Sequence, residues 1–185
     1  MNPVVRRGFS CIGLDNPKTD INVGSVLRAA GIFGCDMVAI SGHRYRLAST
    51  DTMKHYRHLP LLQVDNLHDV IPYDCVPIAV ELVDRAEPLP AYKHPERAFY
   101  VFGAEEATLG ERVLSWCRDV VYIPTNGCLN LAACVNVVLY DRLCKANTPR
   151  CVKTHSKTTA NAGVEARRHA VASDGLLAVS ESGDK

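Results

Sequence analysis

The 185-residue chain lacks the long apolar runs and the charge excess that define several large classes of protein. No stretch approaches the roughly 18–20 apolar residues that a membrane span needs. Arg6 and Arg7 are followed by no long apolar region of the kind found in signal peptides, so we expect no secretion signal. The formal net charge is only +1. A nucleic-acid partner would therefore have to meet a local basic patch.

Cysteine pairs are also missing. The chain has eight cysteines, and no two of them form a Cys-x-x-Cys pair. Most lie in apolar stretches, as Cys11 and Cys75 do, where a free thiol behaves as a small buried hydrophobe. This spacing fits neither a zinc site nor a secreted disulfide framework, so we expect no metal, a reducing compartment and a cytoplasmic location.

Several common catalytic motifs are absent as well. The chain contains no Gly-x-Gly-x-x-Gly after its first predicted strand, no Walker loop and no Gly-x-Ser-x-Gly elbow. The seven histidines lie mostly between residues 43 and 68 and lack helical metal-ligand spacing. These absences argue against an ordinary dinucleotide site, a nucleotide-phosphate site and a serine hydrolase.

Short apolar runs alternate with longer amphipathic ones, which predicts an α/β domain with a mostly parallel sheet. Strands are predicted at residues 9–14, 37–40, 61–64, 76–82, 98–102 and 120–123. Helices are predicted at residues 23–33, 66–71, 109–116 and 129–145, with a polar helical or irregular connection at 47–59. For the helix at 23–33, Asp20 or Asn22 is the expected cap, and Gly31 and Gly34 mark the end.

The composition changes after Asn147. Residues 148–185 are rich in Ser, Thr and Ala and show little periodicity, which predicts a flexible tail with at most one weak helix. We therefore expect one folded domain at residues 1–147, followed by this tail.

The first segment that could carry chemistry follows the first strand, at residues 22–28 (NVGSVLR). Long helical side chains lean toward the N-terminus, so Arg28 would lie over Gly24, where the missing side chain leaves room for a guanidinium. Asn22 stands at the helix start, where free backbone N–H groups favour an anion. Taken alone, this segment is better explained by Asn22 as a plain helix cap and Arg28 as a surface residue.

Two further segments follow predicted buried strands. Residues 101–109 (VFGAEEATL) place Gly103 and Glu105 at a strand end, where open α/β sheets bind ligands. Residues 123–131 (IPTNGCLNL) form a polar loop that runs into the last helix. Such a loop offers backbone amides and carbonyls that can hold an adenine ring.

One stretch is locally basic. It comprises His43, Arg44, Tyr45, Arg46, Lys54, His55, Arg57 and His58. A solvated surface is the simpler explanation of such a cluster, and contact with RNA phosphates is the functional one. For an RNA-binding protein, the contact residues would be Arg44, Arg46, Lys54 and Arg57.

Together the three segments resemble the SpoU/TrmH class of SPOUT RNA 2′-O-ribose methyltransferases. The class pattern is Asn-x-Gly-x-x-x-Arg, then Phe-Gly-x-Glu, then Ile-Pro followed by Ser-(Leu/Met)-Asn at a helix start. The similarity covers about residues 9–145, and the short chain is most similar to TrmL-like members without an added RNA-binding domain. The resemblance implies a trefoil knot in the C-terminal part of the sheet. It also implies a homodimer, S-adenosylmethionine as cofactor, and RNA as substrate, with tRNA favoured over rRNA.

By motif position, the resemblance implies that Arg28 and Asn22 act at the ribose hydroxyl and that Glu105 and Asn130 shape the active site. The implied cofactor-binding residues are Glu81, Leu82, Val83, Phe102, Gly103, Ile123, Cys128, Leu129, Asn130 and Leu131. The chemistry fits these residue types, because a methyl group on a sulfonium is already activated. The protein has to align an oxygen, accept its proton and stabilise the developing charge, which a guanidinium can do without a metal.

The chain departs from the class pattern at two positions. Cys128 replaces the motif serine, and Thr108 stands where many members have glycine. Cys128 has no evident partner base and is not expected to act as a nucleophile. These departures leave open a non-catalytic RNA-binding protein on the same scaffold, which need not retain the cofactor. An α/β enzyme of unrelated chemistry would require the three-motif match to be chance.

Overall fold

The structure, a computed structural model, describes residues 8–42, 50–104 and 108–146. Within these ranges the strands are β1 (Phe9–Leu14), β2 (Met37–Ser41), β3 (Leu61–Val64), β4 (Val76–Val80), β5 (Glu87–Pro88), β6 (Arg97–Phe102) and β7 (Asp119–Tyr122). The helices are α1 (Asp20–Phe33), α2 (Glu111–Leu114) and α3 (Leu131–Lys145), with 3₁₀ turns at His55–Arg57 and Leu67–Val70. Arg44, Arg46, Glu105 and the predicted tail lie outside the described residues.

The strands form one seven-stranded sheet in the order β3-β2-β1-β6-β4-β7-β5. Every strand pair in the described part of the chain runs parallel, which confirms the predicted α/β class and parallel sheet. Parallel sheets need cover on both faces. Strand β6 lies between β1 and β4, so strands distant in sequence are neighbours at the centre of the sheet.

Two apolar layers bury the two faces of the sheet. Along β1, Ile12 and Leu14 point to the layer that contains α1 and α3. Cys11 points to the opposite layer, which contains Val113 and Leu114 of α2. This alternation follows from the two-residue period of a strand. The helices α1 and α3, which carry the first and third motif segments, pack against each other.

Helix α1 begins about one turn earlier than predicted. Thr19, with an extended backbone, accepts a hydrogen bond from the Asn22 N–H at 3.4 Å, so neither Asp20 nor Asn22 is the cap. Asp20 instead lies in the first turn, where its negative charge favours the helix N-terminus. Gly34 ends the helix with φ of 73°, as predicted. Gly31 lies inside α1 and does not end it. A Cβ at Gly31 would overlap the His55 ring.

Other boundaries differ for identifiable reasons. Strand β4 ends at Val80 rather than at Leu82, because the chain turns where the Glu81 carboxylate binds backbone N–H groups. Strands β6 and β7 each begin one residue earlier than predicted, and β7 also ends one residue earlier. Helix α3 begins at Leu131 because Asn130 caps it.

The helix predicted at 109–116 is the single turn α2. Strand β5 was not predicted; it is two residues long, contains Pro88, and pairs with β7 at the edge of the sheet, where proline is tolerated. No helix in the described ranges is long and apolar enough to cross a membrane.

Candidate active site at the carboxyl edge of the sheet

The carboxyl ends of the central strands lie at one edge, and the loops that leave them are cross-linked there. The Asp15 N–H, just after β1, donates to the Phe102 carbonyl at the end of β6 over 2.8 Å. The Glu81 N–H, just after β4, donates to the Val121 carbonyl of β7 over 2.9 Å. Open α/β sheets bind their ligands at this edge. All three motif segments begin here.

The first motif segment leaves Arg28 available to a substrate. Asn22 is half-buried in the first turn of α1, and Gly24 is buried against the core. Arg28 is exposed and forms no hydrogen bond or ion pair with the residues that the structure describes.

The third motif segment is an ordered polar loop. The Thr125 hydroxyl donates to the Gly127 carbonyl over 2.7 Å, which closes the loop on itself. The Asn130 side-chain oxygen accepts from the Ala133 N–H over 2.7 Å and caps α3. The Asn130 amide nitrogen takes no part in this cap and is available as a donor. Cys128 is exposed.

Apolar side chains are exposed in two of the loops that leave the carboxyl ends of the strands. Leu82, which follows β4, is 75% exposed, and Leu129, in the loop before α3, is 36% exposed. Val83 and Ile123 are half-buried beside the core. Exposed leucines beside backbone N–H and carbonyl groups are the ingredients of a small-molecule site, in which apolar walls surround a few polar contacts.

A basic turn, residues 50–58, is attached to α1. The Thr50 hydroxyl donates to the Ile21 carbonyl over 2.8 Å, and the His55 ring packs on Gly31. The turn is closed by Asp51, whose Oδ2 accepts from the Tyr56 N–H over 3.2 Å. Lys54 and Arg57 are exposed on it. The two described members of the predicted RNA-binding set therefore lie on a turn that is anchored to the helix that carries Arg28.

Sequence reasoning missed the side-chain hydrogen bonds that hold this edge together. The Asp15 carboxylate accepts from the Ser41 hydroxyl at 2.8 Å and from Arg112 at 2.9 Å, so it joins β1, β2 and α2. Asp51 and Glu81 play comparable roles in their loops, although Glu81 was named from the resemblance only as a cofactor-binding residue. No motif or periodicity marks these contacts in the sequence, because the partners are distant or lie in turns. In the described ranges no group of three His, Cys, Asp or Glu side chains could hold a metal ion.

A largely exposed stripe, in which only Ser25 and Ala133 are half-buried, runs along each of the packed helices α1 and α3. The members are spaced by four, three and four residues, so each set lies on one helix face. They are Ile21, Ser25, Arg28 and Ile32 on α1, and Ala133, Val137, Tyr140 and Cys144 on α3. Ile21 is 64% exposed and Tyr140 is 60% exposed. Large apolar side chains this exposed on adjacent helices are typical of an interaction surface.

A buried hydrogen-bond network lies away from this edge and joins α3 to the segment before β6. The Tyr100 hydroxyl donates to His94 Nδ1 over 2.6 Å, and His94 Nε2 donates to the Asp141 carboxylate over 2.8 Å. Lys145 pairs with the same carboxylate at 2.7 Å. The His94 side chain is only 4% exposed, and this burial lowers the pKa of His94 from its ordinary value of 6.5.

This network predicts an acid-sensitive stability. Because the pKa of His94 is lower in the folded state, the unfolded chain binds more protons below about pH 6.5. The free energy of unfolding should therefore fall below that pH, by at most about 1.4 kcal/mol per pH unit from this one group. Denaturant unfolding between pH 5 and 8 measures this slope. The slope should be shallower in His94→Gln and unchanged in His68→Gln, whose side chain is 56% exposed. Equal slopes in all three proteins would contradict this assignment.

Comparison with known proteins agrees with this geometry. Residues 10–140 match the model of the SpoU rRNA Methylase family. No curated protein sequence matches the chain. The SpoU methyltransferase AviRb from Streptomyces viridochromogenes, solved with AdoMet, is 21% identical with a TM-score of 0.67, over 76% of this chain and 59% of AviRb. The chain thus spans less than two thirds of the length of AviRb.

Two further solved structures are similar. The A. aeolicus TrmH/SpoU tRNA modifying enzyme is 17% identical, with a TM-score of 0.67 over 76% of each chain. A protein studied for 2-OH methylation of C/U34 on tRNA is 24% identical, with a TM-score of 0.63 over 75% of this chain and 91% of that one. Since the family model covers most of the chain, from β1 into α3, the protein belongs to the SpoU rRNA methylase family.

Proposed function

We propose that this protein binds S-adenosylmethionine and transfers its methyl group to a ribose 2′-hydroxyl of RNA, with tRNA favoured as the substrate. The observation that carries the proposal is the arrangement of the motif segments. The first and third start at the same edge of the sheet and continue into the packed helices α1 and α3. The solved relatives described above bind AdoMet or modify RNA, which supports the same assignment.

The described residues fit the cofactor. Leu82 and Leu129 offer exposed apolar surface for an adenine ring, and the backbone of residues 81–83, 102–103, 123 and 128–131 offers hydrogen-bonding groups. When bound, S-adenosylmethionine would supply a methyl group already activated by its sulfonium. The exposed thiol of Cys128 keeps a small side chain at the position of the motif serine.

Residues of the chain would then orient the ribose and stabilise the negative charge that develops on its 2′-oxygen. Arg28 would stabilise the negative charge that develops on the 2′-oxygen as its proton leaves, because a guanidinium stays protonated and presents several donors. Asn22, at the start of the same helix, and the Asn130 amide would orient the ribose. Glu105, outside the described residues, would contribute a carboxylate by its motif position.

RNA phosphates would contact the basic turn. Lys54 and Arg57 are exposed and lie on the turn that is anchored to α1, so a bound phosphate backbone would be guided toward Arg28. Arg44 and Arg46 belong to the same proposal from sequence. The net charge of +1 means that the affinity would come from this patch. Because RNA substrates and free thiols such as those of Cys11 and Cys117 are both typical of the cytoplasm, the proposal includes a cytoplasmic location.

The active form would be a homodimer with a knotted chain. The exposed stripes on α1 and α3 would be covered by a second copy, which would remove Ile21 and Tyr140 from water. Arg28 lies within the α1 stripe, so pairing would also place its guanidinium beside the second chain. A trefoil knot in the C-terminal part of the sheet belongs to the same proposal, from the resemblance of the motif segments to the SPOUT class.

Methyl transfer tests the proposal directly. We expect label from methyl-labelled S-adenosylmethionine to enter tRNA, and nuclease digestion should release it as a 2′-O-methyl nucleotide. Bulk ribosomal RNA, incubated in parallel, distinguishes the two substrate classes. Label on a base rather than a ribose would contradict the proposed reaction. Binding of RNA without binding of S-adenosylmethionine would indicate a non-catalytic RNA-binding protein instead.

A further inference from the structure

Glu81 stands at the exit of β4, and its carboxylate is fully engaged with backbone. Its Oε1 accepts the N–H of Leu82 over 2.9 Å, and its Oε2 accepts the N–H of Leu109 over 2.7 Å. The Glu81 N–H itself donates to the Val121 carbonyl. One residue therefore connects the loop after β4, the segment before α2 and the end of β7.

The hydrogen bond to Leu109 connects Glu81 to the hydrophobic core. The Leu109 side chain is 1% exposed and packs with Val113 and Leu114 in the core layer that contains α2. Glu81 and the core thus hold the backbone at Leu109, which is the last residue of the second motif segment. The hydrogen bond that does so joins residues 28 positions apart.

We propose that Glu81 is a positioning residue for the S-adenosylmethionine site. Its side chain ties the backbone at Leu82, in the loop after β4, to the backbone at Leu109, the last residue of the second motif segment, without touching the reacting atoms. The inference rests on the proposed function and adds a side-chain role for Glu81. Because Leu82 is 75% exposed while its own N–H is held by Glu81, the tether would aim this leucine at the bound adenine.

A carboxylate suits this role better than an amide. It has two acceptor oxygens and no hydrogens, so it can satisfy both N–H groups at once. Glu81→Gln keeps the size of the side chain but turns an NH₂ group toward one of the two backbone donors. That donor then loses its charge-assisted partner, and the loop it belongs to is no longer held.

The test compares cofactor affinity in matched variants. By isothermal titration with S-adenosylmethionine we expect Glu81→Gln to bind about tenfold more weakly than wild type, as the loss of one charge-assisted hydrogen bond would give. Glu81→Asp, which keeps the charge on a shorter side chain, should recover part of the affinity. Asp119→Asn is the control, because it weakens a bond to the Tyr92 hydroxyl at the amino end of β7. It should bind the cofactor as wild type does.

Amide hydrogen exchange separates positioning from direct contact. In the protein without cofactor, the Leu109 amide should exchange faster in Glu81→Gln than in wild type. Weaker cofactor binding with unchanged Leu109 exchange would overturn the positioning role, since Glu81 would then touch the cofactor itself. Unchanged affinity in Glu81→Gln would also overturn it and leave the proposed function intact. A wild-type protein that binds no S-adenosylmethionine would defeat the proposed function, and the positioning role with it.

Discussion

Replacing Arg28 with alanine should lower kcat/KM for RNA methylation by about 10²–10³-fold, the usual loss when one donor to a developing oxyanion is removed. The guanidinium is exposed, and no described residue forms a hydrogen bond or ion pair with it. Its removal should therefore leave the fold intact. The affinity for S-adenosylmethionine should also be preserved, because the cofactor residues belong to other segments.

The measurement is initial-rate methyl transfer to tRNA at several RNA concentrations, beside calorimetric binding of the cofactor. Arg28→Lys should retain part of the rate, because lysine keeps the positive charge but lacks the planar set of guanidinium donors. Arg118→Ala is the matched control, because Arg118 is an exposed arginine next to the amino end of β7 and pairs only with the neighbouring Asp119 among the described residues. A rate in Arg28→Ala within twofold of wild type would remove Arg28 from the mechanism.

The second large effect is expected from the exposed stripe. Tyr140→Asp should convert a dimer of twice the 20.3 kDa chain mass into monomers. A charge at this position would have to be buried without a partner, which a pairing surface does not tolerate. Because Tyr140 is 60% exposed in the single chain, the substitution should not unfold the domain itself. Methyl transfer should fall along with the dimer, since Arg28 lies in the stripe that we propose is paired.

Sedimentation equilibrium, with a melting curve on the same samples, measures both consequences. Tyr73→Asp serves as the control. Tyr73 is 94% exposed, and it lies in the turn before β4, at the amino ends of the strands and not in either helix stripe. It should remain dimeric and active. A wild-type protein that sediments as a monomer, or a Tyr140→Asp variant that remains a dimer, would show that this stripe is not the pairing surface.

The sequence alone was sufficient for features that depend on neighbouring residues. The strands at Phe9–Leu14 and Leu61–Val64 were predicted with the boundaries that the structure has, because short apolar runs bounded by turn residues define a strand locally. Gly34 was also predicted as the end of α1 from the local sequence, because glycine adopts with little strain the left-handed backbone conformation that ends a helix. The motif order was also sufficient to predict the family to which the chain belongs.

Only the tertiary structure decided which distant groups meet. It placed β6 between β1 and β4, added the two-residue strand β5 at the sheet edge, and made Glu81 the acceptor for Leu109 across 28 positions. It also made Thr19, rather than Asp20 or Asn22, the cap of α1. Periodicity and capping are local, so they are readable along the chain. A carboxylate that binds backbone amides from another loop has no local signal, because its free energy depends on which donors the fold brings within 3 Å.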